Sequence, residues 1–107
     1  MTWIVEILNE TVLAELSALP RDMRARFQRF VTVIETSGPS ALREPHVKHL
    51  EGRLWEMRMT GRDGISRAIY VTAAGARVVV VRVFIKKTQK TPSRDLSVAR
   101  RRAKEVI

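Results

Sequence analysis

The chain has 107 residues, 45% of them hydrophobic, no cysteine, and a formal net charge of +9 from 20 Lys and Arg against 11 Asp and Glu. That length closes one core and leaves no room for a second module, so residues 1–107 are expected to form a single domain that acts through the surface of its core. The lack of cysteine excludes disulfides, thiolate nucleophiles and zinc–thiolate sites; no basic start precedes an apolar run, and no stretch approaches about 20 apolar residues, so the expected location is the cytoplasm.

Trp3 to Leu8 reads as a strand, and Asn9 suits the N-cap of a helix whose apolar positions Val12, Leu13, Leu16 and Leu19 recur at helical spacing. Pro20 separates it from a second helix, which places Met23, Phe27, Phe30, Val31 and Ile34 on one face and stops at Ser37-Gly38-Pro39. The two form a helical hairpin. Residues 38–53 lose their period and contain Pro39, Pro45 and Gly52, which predicts an ordered loop.

Three strands follow. Leu54 to Met59 alternates Trp55, Met57 and Met59, expected inside, with Glu56 and Arg58, expected outside. Ser66 to Thr72 comes after a turn at residues 61–64, and Val78 to Ile85 after a turn at Ala74-Gly75, so these neighbours pair antiparallel. Thr91 is expected to cap a last helix that begins at Pro92, buries Leu96, Ala99, Ala103 and Val106, and exposes Arg100, Arg101 and Lys104. The fold class is α+β in the order β-α-α-β-β-β-α: one antiparallel-rich sheet, an N-terminal helical hairpin and a C-terminal helix.

The charge is concentrated. From Arg82 to Ile107 there are nine Lys or Arg and only two acids, Asp95 and Glu105. With a sequence pI near 11.3, this points to a polyanion or an acidic protein as partner, because a rigid strand fixes each charge relative to successive phosphates. His46 and His49 stand three apart with no third ligand, so neither a metal nor another cofactor is expected.

The blocks Leu54-Trp55-Glu56-Met57-Arg58, Ser66-Arg67-Ala68-Ile69-Tyr70 and Val83-Phe84-Ile85-Lys86-Lys87-Thr88-Gln89-Lys90-Thr91-Pro92 lie in the second half of the chain. In this order they resemble the RelE/ParE superfamily of type II toxin–antitoxin toxins, and within it the HigB-like, phage-associated branch. The resemblance implies a RelE-like fold, a cognate antitoxin as partner, and one of two targets. RelE- and HigB-type members cut mRNA in the ribosomal A site and inhibit translation; ParE members inhibit DNA gyrase without nuclease chemistry. It also implies that Arg67 is the arginine implicated in cleavage, that Arg58 is a cationic position on the preceding strand, and that Lys86 and Lys87 lie where the last strand delivers further catalytic groups. The segment around Glu44-Pro45 and Lys48-His49-Leu50 resembles a loop that supplies a glutamate base in the YoeB group. The chain departs from other members after Phe84, where Ile-Lys-Lys lacks the tyrosine or histidine that some of these nucleases carry.

Metal-independent RNA cleavage by a 2′-hydroxyl needs a base, cations for the pentacoordinate phosphate, and an acid for the leaving oxygen. Arginine can serve only as the cation, which suits Arg67 and Arg58. Lys86, crowded by Lys87, Lys90 and Arg82, is expected to have a lowered pKa, and Lys86 or Lys87 to handle a proton. Glu44 and His49 are candidate bases. Phe84, Arg82, Lys90 and Lys48 are candidate RNA contacts, Phe84 by stacking on a base. Each has a plainer reading: an ion pair with Glu56 for Arg67, edge protection for Lys86 and Lys87, core packing for Phe84, Tyr70 and Trp55. A nucleic-acid-binding module without catalysis is the third alternative.

Overall fold

The computed structural model describes residues 2–86 and 90–107. Its elements are β1 (Ile4–Ile7), α1 (Glu10–Ser17), α2 (Arg21–Ser37), a 3-10 turn (Pro39–Ala41), β2 (Val47–Glu51), β3 (Leu54–Gly61), β4 (Gly64–Ala73), β5 (Arg77–Lys86) and α3 (Ser93–Ala103). The α+β class and the succession of expected elements are borne out, with one strand more: β2 lies inside the segment read as loop. Its sequence Val-Lys-His-Leu-Glu buries only Val47 fully, and as the outermost strand it needs no apolar face on both sides. Gly52, at φ +49°, makes the tight turn from β2 into β3.

The sheet runs β1-β5-β4-β3-β2; β1 pairs parallel with β5, and the other neighbours pair antiparallel. Asn9 caps α1 as expected, its side-chain oxygen accepting from Val12 N at 3.0 Å. Gly38 closes α2 at φ +86°, a dihedral that favours glycine, and a Cβ there would press tightly, at 3.2 Å, on the indole Nε1 of Trp3.

Each face of the sheet has its own apolar layer. Met57, Met59, Ala68, Tyr70, Val78, Val80 and Val83 pack against Val12, Leu19, Met23, Phe27, Phe30 and Ile34 of the hairpin. On the other face Leu54, Ile69, Val71, Val79 and Val81 pack against Ala99 and Ala103 of α3. Burial of each large aliphatic or aromatic side chain contributes roughly 1.5–3 kcal/mol. α3 is short and covers one end of that face, where Arg100 grips Glu51 through two hydrogen bonds of 2.6 and 2.7 Å.

Three expectations are corrected. Trp55 faces the hairpin side but lies beyond the helices and is 40% exposed, its ring tilted at 52° against that of His49 with 4.8 Å between ring centres. Glu56, expected outside, is 1% exposed. Thr91 does not cap α3: Pro92 precedes the helix with no side-chain cap, and the Thr91 hydroxyl donates to Glu56 Oε1 at 2.9 Å.

A β-bulge in β5 decides what the open end of the α3 face carries. The register passes from Tyr70↔Val80 to Ile69↔Arg82, leaving Val81 extra. The Arg102 guanidinium donates to the Val81 carbonyl at 2.9 Å. Beyond this point Arg82, Phe84 and Lys86 point to the same face as Arg67; uninterrupted alternation from Val79 and Val81 would have put Val83 and Ile85 there.

Candidate active site

At the end of the α3 face that α3 leaves open, adjacent strands bring four cations together. Arg58 stands directly across from Arg67, Arg67 from Phe84, Lys48 from Glu56, and Lys86 from Ile65, one pair further along. These pairings place all of them on one face by the two-residue period of strands.

Glu56 lies among them. Its Oε2 accepts from Arg67 in a short buried hydrogen bond and from Arg58 Nε at 3.2 Å, while Oε1 accepts from Thr91. Arg67 is only 3% exposed, and its Nε has no hydrogen-bond partner among the described residues. Arg58 is the accessible guanidinium, with its side chain 25% exposed. Lys86 is 6% exposed. Burial lowers its pKa to about 8, helped by the positive charges of Arg67, Arg58 and Lys48 and opposed by Glu56. The direction matches the sequence expectation but the neighbours differ: the opposing charges come across the sheet.

The other candidates are distributed as follows. Arg82 does not join this group, because Asp95 and Glu15 of α3 and α1 hold it at 2.9 and 2.6 Å. Phe84 is half-buried against the α3-side core, with the Arg82 guanidinium 5.9 Å from its ring centre. Lys90 is exposed. Lys87 lies outside the described residues. His49 is on the opposite face, its Nε2 2.9 Å from the Gly52 carbonyl, and His46 packs against Phe30. Glu44 is exposed in the turn leading into β2, two residues before His46, whose carbonyl accepts the Arg58 amide at 2.8 Å. Among the described residues no cluster of His, Cys, Asp and Glu could hold a metal ion, and no helix is long and apolar enough to cross a membrane.

Sequence reasoning treated Glu56 only as a partner of Arg67 and missed Thr91 and Glu15. The signal for Glu56 was present: it shares its strand face with Arg58 by simple alternation. Thr91 and Glu15 reach their partners across 35 and 68 residues of chain, which no local pattern records.

Two guanidinia, a shielded lysine and a second lysine thus share one end of a rigid sheet. The chain matches the family "Phage derived protein Gp49-like (DUF891)" over residues 14–104 and belongs to it. Among solved structures it is similar to the archaeal RelE–RelB complex from Pyrococcus horikoshii OT3, at 26% identity and a TM-score of 0.62, covering 79% of this chain and 96% of that one. Comparison with curated proteins returns no match. The fold is RelE-like, and the family and fold together put the chain in the RelE/ParE-type toxin superfamily.

Proposed function

We propose that this protein is the toxin of a type II toxin–antitoxin pair, of the HigB-like branch, and that it inhibits translation by cutting mRNA on the ribosome without a metal. The observation that carries this reading is the convergence of Lys48, Arg58, Arg67 and Lys86 on one open end of one sheet face.

Arg58 grips the non-bridging oxygens of the scissile phosphate, and the Arg67–Glu56 pair forms the floor that holds it in place. Lys86, with its pKa near 8, is mostly protonated at neutral pH and gives its proton to the leaving 5′-oxygen. Glu44, at the β2 end nearest the Arg58 backbone, takes the proton of the attacking 2′-hydroxyl. The restraining partner is an antitoxin with an acidic segment that neutralises this mouth; the archaeal relative, a RelE held in complex with RelB, is the precedent for such a partner.

Induced expression with and without the neighbouring open reading frame, followed by mapping of mRNA ends, tests the proposal. Growth arrest with cuts inside translated codons is the expected result, and both are lost in Arg58→Ala. Arrest with intact mRNA overturns the nuclease reading. A second reading is a ParE-type gyrase inhibitor, favoured by one observation: Arg67 is buried and already neutralised by Glu56, as a scaffold ion pair would be. A block of supercoiling by purified protein, with mRNA whole, is its signature.

A further inference from the structure

We infer that Glu56 is the positioning residue of the cationic site and that Thr91 orients it, so that the start of α3 is mechanically part of the site. The inference rests on the nuclease reading and deepens it. Three donors from three elements meet on one carboxylate: Arg58 of β3 and Arg67 of β4 on Oε2, and the Thr91 hydroxyl, two residues ahead of α3, on Oε1. The Thr91 bond fixes the plane of the carboxylate, and that plane dictates where Oε2 points and hence where both guanidinia stand. At 1% exposure Glu56 cannot itself meet a substrate, so it acts through others.

Its charge matters as much as its shape. Among the described residues, Lys86 is faced by Arg67 from β4, Arg58 and Glu56 from β3, and Lys48 from β2, and Glu56 is the negative group of these four. Residues 87–89 are Lys-Thr-Gln and supply no acid. Glu56 therefore keeps the Lys86 proton on at neutral pH and restrains Arg58 until a phosphate oxygen competes for it.

The test compares Glu56→Gln, Glu56→Asp, Thr91→Val and Thr91→Ser with wild type. Measured are single-turnover cleavage, RNA affinity against salt, and the pH dependence of acylation at Lys86 read by mass spectrometry. Glu56→Gln is expected to slow cleavage at least about tenfold while RNA binds as tightly or more tightly, since one negative charge has gone from a phosphate site. In the same variant Lys86 acylates at lower pH than in wild type. Thr91→Val is expected to slow cleavage several-fold with the Lys86 titration unchanged, and Thr91→Ser to restore it. Glu56→Asp keeps the charge but retracts it, so cleavage falls and the titration holds; with Thr91→Val it carries the test should Glu56→Gln fail to fold. Parallel loss of binding, cleavage and melting temperature in all four variants reduces Glu56 to a structural pair and overturns the inference, as does an unmoved Lys86 titration in folded Glu56→Gln. A wild type that cuts no mRNA sinks the nuclease reading, while the acylation measurement still decides the electrostatic role of Glu56.

Discussion

Two charged clusters occupy the α3 side of the same sheet, built from the same residue types, and they differ in stoichiometry. On β5, between α1 and α3, Arg82 and Arg102 meet Glu15 and Asp95, two cations with two anions. Glu15 also accepts the Val83 amide at 3.0 Å, on the stretch of β5 that β1 is too short to pair. Every charge there is answered, and the cluster locks α1, α3 and β5 together. At the open end, among the described residues, Lys48, Arg58, Arg67 and Lys86 surround the carboxylate of Glu56. Such a concentration of positive charge favours an incoming anion, which in the proposed function is a phosphodiester. Balance makes a joint; imbalance makes a site.

Four experiments sharpen or break that contrast. The largest effect is expected from Lys86→Gln, which removes the proposed proton donor at the open end: mRNA cleavage is expected to fall by about 10²–10³-fold with the circular dichroism spectrum unchanged. A drop below tenfold would mean the lysine is merely part of the rim. Next, Glu15→Ala should cost about 2–3 kcal/mol in urea unfolding, because it strands Arg82, Arg102 and the Val83 amide together, while the folded variant cleaves at nearly the wild-type rate. Activity lost in step with Glu15 would dissolve the distinction between joint and site.

The third prediction concerns pH and stability. Lys86 has a folded-state pKa near 8 against an ordinary 10.5, so the unfolded chain holds that proton more tightly. Wild-type stability is therefore expected to rise as pH increases from about 8 to about 10.5, with the destabilisation fully present below about 8. Lys86→Met should be more stable at pH 7 by ~1 kcal/mol after allowing for solvent screening, an advantage that fades across that window. Equal pH profiles for the two proteins would show the ammonium to be better solvated than its burial implies. The smallest effect is expected from Asn9→Ala, which uncaps the helix that carries Glu15. About 1 kcal/mol of thermal stability should go, with cleavage unaltered.

Much of the fold was legible because its signals are local. Asn9 ahead of a helical stripe, the Ser-Gly-Pro stop after Thr36, and the two turns flanking β4 each bound an element from its immediate neighbours. β2 escaped because an edge strand with a single fully buried residue has no period to read. Trp55 and Glu56 were assigned to the wrong environments for a related reason: alternation tells which residues share a face, but helix coverage decides which part of that face is dry. The hairpin stops short of Trp55, whereas Thr91 and two arginines close over Glu56.

The sequence by itself determined every helix and strand but β2, their order, the basic character of the last strand and helix, and the three blocks that carry the likeness to RelE/ParE toxins. Only the tertiary structure decided which cations stand together. The bulge at Val81 turns Lys86 toward Arg67, and α1 and α3 withdraw Arg82 into a neutral joint. Both outcomes depend on register and on partners distant in the chain, and a side chain's charge says nothing about the face it points to until pairing across the sheet is set.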